Sequence, residues 1–152
     1  MKNIGPDYTR EDVFILGNIA SYALNRGLGE YVLPIIKLIQ EVRPKNAAAF
    51  LLEAMHKYSI GEVREAIQFL EASGTFDAAV NRDEAVAFHL FLLQQDGQVQ
   101  RAANLGRTSM ATGSIESGAA REMIRIVTAE CEVELAAASA PGDVSRNERR
   151  LR

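Results

Sequence analysis

The chain has 152 residues, a formal net charge of −3 at pH 7 and a sequence pI near 5.5. A single domain of this length buries about two thirds of the surface that its unfolded chain exposes, so a stable core requires neither a disulfide nor a metal. The acidic balance disfavours nucleic acid and anionic lipid as partners.

The expected location is the cytoplasm, without membrane insertion. Cys131 is the only cysteine, so the chain fits a reducing compartment without requiring one. The amino-terminal residues lack the basic start and apolar run of a signal peptide, and no apolar stretch approaches the length of a membrane span.

Two helices are predicted after a leader at residues 1–8. Thr9 is a good N-cap for the first helix, with Asp12 favoured at the positive end, and Gly27 interrupts its apolar pattern. The second helix runs to a point before Pro44. Since proline is best tolerated in a first turn, Pro34 predicts that this helix begins near Leu33.

Four further helices follow Pro44. Asn46 is predicted to cap a helix with a stripe of apolar residues, and Gly61 opens a partner helix that ends at Gly74. Asn81 and Glu84 indicate a reciprocal cap for the next helix, which stops at Gly97. Gly106 is expected to weaken the sixth helix because glycine is a poor helix former.

A last helix is predicted to run to about Ala138 and to have no partner helix after it in the sequence. A stack of helical repeats must cover its final apolar face, so this helix is expected to act as a cap, with Cys131 packed inside. The predicted domain therefore spans residues 9–138, and the polar tail at 139–152 is expected to be disordered.

The loop glycines Gly27, Gly61 and Gly97 recur at a spacing close to 34 residues. That period is typical of tetratricopeptide repeats, in which each repeat is a helical hairpin that stacks on its neighbour. We therefore predict an all-α fold of antiparallel hairpins, stacked as a tetratricopeptide-like array with a carboxy-terminal capping helix.

A stack of this kind predicts a binding groove for a protein or peptide. The first helix of each pair lines the concave face, and the same residues could equally be ordinary core. The candidates are mostly apolar, which suits an amphipathic helix or an extended peptide. They are Phe14, Gly17, Ser21, Ala48, Leu51, Met55, Tyr58, Ala87 and Phe91.

Catalytic chemistry has little support in the sequence. His56 and His89 are the only histidines, and a pairing of either with Cys131 rests on composition alone. His56 is expected on a solvated helix face beside Lys57. No phosphate-binding loop or metal-ligand spacing is present, so we assign no catalytic or metal-binding residue and expect no cofactor.

The layout resembles the small cytoplasmic chaperones of bacterial type III secretion. The resemblance covers roughly residues 10–110 and is carried by Ala23 and Leu24 before Gly27, by Arg43 and Pro44, and by the segments 61–70 and 86–97. Glu53 and Lys57 depart from it, because the repeat register expects apolar residues there. The third unit also lacks a terminal proline.

The resemblance implies a chaperone or co-chaperone that masks an apolar segment of a secreted needle or translocator subunit. Two alternatives stay open, a general tetratricopeptide adaptor and a small helical enzyme or regulatory subunit that uses Cys131. Because a stack with an incomplete cap can hide an apolar face by associating, a homodimer and a heterodimer are both compatible with the sequence.

Overall fold

The structure, a computed structural model, describes residues 7–141 and consists of helices, with no strand in that range. The helices are α1 (Arg10–Asn25), α2 (Gly29–Val42), α3 (Ala48–Ser59), α4 (Val63–Ala72), α5 (Arg82–Gln95), α6 (Val99–Ala111) and α7 (Gly118–Ser139). A short 3₁₀ turn, Thr75–Asp77, lies between α4 and α5. The all-α prediction is confirmed.

The start of α1 is fixed by a capping box, in which Thr9 is the N-cap that the sequence predicts. The hydroxyl of Thr9 accepts a hydrogen bond from the backbone N–H of Asp12 at 3.1 Å. The carboxylate of Asp12 accepts one in return from the backbone N–H of Thr9 at 2.8 Å. Two backbone donors that have no partner inside the helix are thereby satisfied.

One predicted helix start and one predicted side-chain cap are wrong. Helix α2 begins at Gly29 rather than near Leu33, so Pro34 lies inside the helix. Because proline has no backbone N–H, the carbonyl of Glu30 receives no hydrogen bond from position 34. Asn81 precedes α5 with a left-handed backbone (φ 57°) and makes no side-chain cap. Its amide instead donates to Asn46 Oδ1 at 2.9 Å, which ties the start of α5 to the start of α3.

The loops at Gly27, Gly61 and Gly97 have the same backbone geometry. Each glycine has a positive φ, at 75°, 86° and 78° respectively. Its N–H donates to the carbonyl three residues earlier, and the next N–H donates to the carbonyl five residues before it, which is the Schellman motif. We name the helix pairs that these loops join hairpin 1 (α1 and α2), hairpin 2 (α3 and α4) and hairpin 3 (α5 and α6).

The helices pack in chain order. Each helix contacts the next one, and α1 contacts α3, α3 contacts α5, and α5 contacts α7. One core cluster lies between α1, α2 and α3, and a larger one extends from α3 to α7. Helix α7 packs on both α5 and α6 and buries Cys131, as the sequence predicts for the last helix.

The three hairpins bury equivalent positions, counted from the loop glycine. The residue seven places before it, the residue five places after it and the residue nine places after it are buried in each hairpin. In chain order these sets are Ala20, Ala54 and Leu90, then Val32, Ala66 and Ala102, and then Ile36, Leu70 and Gly106. The repeat in the sequence is therefore also a repeat in packing.

Some of the predicted boundaries lie at or beyond the limits of the described residues. Helix α7 continues to Ser139, one residue past the predicted end of the domain. Within the leader, Asp7 and Tyr8 are not helical, and the carbonyl of Tyr8 accepts a hydrogen bond from Arg43 at 3.1 Å. The remainder of the leader, 1–6, and the tail at 142–152 lie outside the described residues.

Polar side chains meet where one hairpin packs on the next. Lys37 of α2 forms a salt bridge at 2.8 Å with buried Glu53 of α3, which also accepts from Gln40. Glu71 of α4 occupies the position equivalent to Lys37, and it accepts from buried His89 of α5, the equivalent of Glu53, at 2.8 Å. The same two positions therefore pair at both junctions. The acidic residue belongs to the later hairpin at the first junction and to the earlier hairpin at the second. The departure of Glu53 from an apolar pattern is explained by this pairing.

Gly106 is required by close packing between α6 and α7. It is buried, and a methyl group added to its Cα would overlap the side chain of Thr128 and approach Leu90 Cδ2 at 3.0 Å. Gly17 of α1 is a matched contrast, because nothing lies within 4 Å of a methyl group built there. One helical glycine is therefore held by packing, whereas the other has space for a side chain.

We expect Gly106→Ala to lower the free energy of unfolding by about 1–3 kcal/mol, since overlap with Thr128 outweighs the better helix propensity of alanine. Gly17→Ala should raise the same free energy by about 0.5–1 kcal/mol. Urea denaturation followed by circular dichroism measures both. Equal effects of the two substitutions would contradict the close contact.

Stability should fall as the pH drops from 7 to 5 because of His89. Burial lowers the pKa of its imidazole below the ordinary value of 6.5, and the hydrogen bond to Glu71 only partly opposes this. The unfolded chain therefore takes up the proton first, so this contribution is present above pH 6.5 and is lost as the pH falls below it. The slope from one such group is at most about 1.4 kcal/mol per pH unit.

His89→Gln keeps a donor toward Glu71 but removes the titrating ring. Its free energy of unfolding should change less steeply than that of the unmodified protein between pH 7 and 5, in parallel urea titrations. His56 is present in both proteins, so the difference in slope reports His89. Identical slopes would show that burial of His89 does not control the pH dependence.

Candidate functional site

A cleft of about 980 Å³ opens between α1 and α3. The end of α2, residues 43–46 and the start of α5 complete its wall. The backbone N–H of Ala47 donates to the carbonyl of Val80 at 2.9 Å, which together with the Asn81–Asn46 hydrogen bond holds this end of the wall in place. We call this space the α1–α3 cleft.

Six of the nine predicted groove residues line the α1–α3 cleft. They lie six, ten and thirteen places before the loop glycine of hairpins 1 and 2, which is one face of each first helix. Phe14 is 68% exposed and Met55 is 37% exposed, so both can be reached by a partner. The six residues are Phe14, Gly17, Ser21, Ala48, Leu51 and Met55.

Of the other three predicted groove residues, Ala87 is buried in the larger core cluster, whereas Tyr58 and Phe91 are partly buried and pack against it. Ala87 is buried, which excludes it from contact with a partner in this structure. Tyr58 packs edge-on against Phe91 and Phe88, with ring centroids 5.3 and 6.3 Å apart. None of the three lines the α1–α3 cleft, which in hairpin 3 reaches only the start of α5 at Glu84.

Several lining residues were not predicted. Val13, Asn18 and Leu52 stand beside predicted positions on the same helices. The rim carries three cations, Arg10, Arg43 and Lys45, and one carboxylate, Glu84, which are drawn from three parts of the chain. The only sequence signal for this rim is the pair of cations on either side of Pro44. The cleft thus joins an apolar floor to a mainly basic rim.

A second, smaller pocket of about 400 Å³ lies beside α4 and the loop before α6. Its charged residues are paired with one another. Arg64 contacts Asp96 at 3.1 Å, and Arg101 forms a salt bridge with Glu71. The charges of this pocket are therefore already used within the fold, which makes the α1–α3 cleft the better candidate for a binding site.

Cys131 and the two histidines are structural residues in this fold. Burial raises the pKa of the Cys131 thiol, and the nearby carboxylates of Glu134, Glu130 and Glu132 raise it further. A thiol is a poor nucleophile under these conditions. His56 is buried against Gly29, so the expectation that it lies on a solvated face is wrong. His89 is held by Glu71.

Residues 7–141 contain neither a cluster suited to a metal ion nor a helix suited to a membrane. No group of three or more His, Cys, Asp or Glu side chains in this range is arranged to hold a metal ion. No helix in the part of the chain that the structure describes is both long enough and apolar enough to cross a membrane.

Comparison with known proteins identifies no relative. No family model matches the chain, and neither a curated protein nor a solved structure is significantly similar to it.

The packing of Tyr58 against the core predicts that its truncation costs more folding stability than truncation of a cleft residue. Tyr58→Ala should lower the free energy of unfolding by about 2–4 kcal/mol, because it removes a ring from the cluster with Phe88 and Phe91. Met55→Ala, at a more exposed cleft position, should cost less than about 1 kcal/mol. Urea unfolding of the two variants measures this difference. Equal costs would show that the ring of Tyr58 does not stabilise the core.

Proposed function

We propose that this chain is a non-enzymatic, tetratricopeptide-like binding protein whose α1–α3 cleft holds an apolar segment of a partner protein. The observation that carries the proposal is the cleft itself, because it exposes Phe14 and Met55 beside the apolar side chains of Leu51 and Leu52. Exposed apolar surface inside a concave site is typical of a site for a protein or a ligand.

The tetratricopeptide-like assignment is supported by the repeat of loop geometry and burial. Gly27, Gly61 and Gly97 end the first helix of each hairpin in the same way, and equivalent positions around them are buried. Hairpins of about 34 residues that contact only their neighbours are the unit of such arrays. The first helices α1 and α3 line the cleft, as the first helices of these repeats do on a concave face.

The chemistry of the cleft favours an amphipathic or extended segment with acidic residues at its ends. The floor can accommodate varied apolar side chains because the side chain of Met55 is flexible and polarisable. Arg10, Arg43 and Lys45 on the rim would attract carboxylates. A partner segment that is mainly basic would meet the same three cations and be repelled.

We further propose that the partner is a secreted subunit and that the protein acts as a cytoplasmic type III secretion chaperone or co-chaperone. This assignment rests on the sequence resemblance over residues 10–110. Its physical logic is that a segment designed to polymerise or to enter a membrane must be covered until export. The α1–α3 cleft offers such a cover without any chemical step.

The proposal is tested by recovering the partner with a cleft variant and a matched surface variant. The tagged protein is purified from native cells at high salt, and bound proteins are identified by mass. The cleft variant is Phe14→Glu with Met55→Glu, and the control is Ile126→Glu with Val133→Glu on the exposed face of α7. All four sites are solvent-accessible, so we expect both variants to keep the helical circular dichroism of the unmodified protein.

A stoichiometric small protein should be recovered with the unmodified chain and with the α7 variant, and at least tenfold less with the cleft variant. Aggregation of the isolated partner would support the chaperone function, whereas a partner that is folded and soluble alone would indicate an adaptor. Equal recovery with both variants, or no bound protein in any sample, would contradict binding in the α1–α3 cleft.

A further inference from the structure

Helix α1 has an apolar face that points away from the rest of the stack. This face consists of the residues twelve, eight and five places before the loop glycine. In hairpins 2 and 3 they are occupied by Ala49, Glu53 and His56 and by Ala85, His89 and Leu92, all of which are buried. In hairpin 1 they are Ile15, Ile19 and Tyr22, which are 49%, 48% and 63% exposed. We call these three residues the α1 end face.

These positions are buried in hairpins 2 and 3 because the preceding hairpin covers them. Glu53 is covered by Lys37 and Gln40 of α2, and His56 packs on Gly29 of the same helix. His89 is held by Glu71 of α4. Hairpin 1 has no hairpin before it among the described residues, so its equivalent positions are open.

The residue types on the α1 end face do not suit a solvent-facing end. A terminal repeat that meets water carries polar residues on its outer face. The opposite end of the stack is more polar, since the outward side of α7 carries Glu122, Arg125, Glu130 and Glu134 around the exposed Ile126 and Val133. The α1 end face instead presents two isoleucines and a tyrosine, which are interface residues.

Charge along the same stripe of α1 indicates what covers it. The stripe begins with Glu11 and ends with Arg26, whose guanidinium lies 5.0 Å from the ring centroid of Tyr22. Glu11 and Arg26 lie symmetrically about the midpoint between Asn18 and Ile19. Ile15 and Tyr22 lie symmetrically about the same point. A second α1 placed antiparallel across this midpoint brings Glu11 opposite Arg26 of the second copy at both ends, and Ile15 opposite its Tyr22.

We propose that two copies of this chain associate through their α1 end faces, antiparallel and around a two-fold axis near Asn18 and Ile19. The contact is isologous, so it closes as a dimer. A head-to-tail arrangement would instead place Ile15, Ile19 and Tyr22 on the outward side of α7, where carboxylates and Arg125 surround the apolar residues. The proposal does not depend on the function of the α1–α3 cleft, because Phe14, Gly17 and Ser21 lie on a different side of α1.

The first test is the mass of the full chain in solution. Sedimentation velocity over a range of concentrations should show a dimer that dissociates on dilution. Ile19→Glu should raise its dissociation constant at least tenfold, while Val133→Glu on α7 should leave it unchanged. Both sites are exposed in the single chain, so helical circular dichroism should be retained by both variants.

The second test uses charge reversal to read the geometry. Glu11→Arg alone and Arg26→Glu alone should each weaken the dimer, because each places like charges opposite one another at both ends. A mixture of these two variants should form a heterodimer, and the double variant in one chain should regain the dimer. These restorations are specific to an antiparallel, two-fold contact.

Three results would overturn the proposal. A monomer at every concentration would show that something other than a second copy covers the α1 end face. A dimer that is insensitive to Ile19→Glu would place the contact elsewhere. Charge variants that weaken the dimer but do not complement one another would exclude the antiparallel arrangement.

Discussion

The left-handed backbone at Gly27, Gly61 and Gly97 sets where each first helix ends and where its partner begins. Only glycine adopts this conformation without a steric penalty, and the two hydrogen bonds of the Schellman motif hold the chain in one path through the turn. Because the turn is the same three times, the same faces of the helices meet three times. The equivalent buried positions, the cleft and the open end face all follow from that repeated turn.

The junctions between hairpins add selectivity to this repeated geometry. Apolar packing alone would allow one hairpin to sit on any other. The pair of Lys37 with Glu53 and the pair of Glu71 with His89 occupy equivalent positions with the acidic residue exchanged. A wrong neighbour would bring Lys37 to His89, or Glu71 to Glu53, and leave a buried polar group without its partner. The order of the stack is thereby encoded in side chains that a simple apolar pattern treats as exceptions.

The cleft and the α1 end face arise from the two sides of one helix. Helix α1 packs against α2 and α3, and its remaining surface is divided between Phe14, Gly17 and Ser21 on the cleft and Ile15, Ile19 and Tyr22 on the end face. Hairpins 2 and 3 bury the residues equivalent to the second set, whereas hairpin 1 leaves them exposed in the described part of the chain. The first unit of a stack therefore carries two exposed surfaces, and in this chain both are apolar. A binding protein with separate surfaces for a client and for a second copy is consistent with that division.

Periodicity and turn chemistry are local properties, so they were enough to predict the helices, the loop glycines and one face of α1 and α3. That face carries Phe14, Gly17, Ser21, Ala48, Leu51 and Met55. Tertiary contacts were needed to show that Ala87 is buried, that Tyr58 and Phe91 pack against the core, and that the side chain of Asn81 reaches Asn46. The tertiary structure also decided that Gly106 serves close packing and that Arg10, Arg43, Lys45 and Glu84 share one rim. These outcomes depend on which residues from distant parts of the chain meet, and no local pattern contains that information.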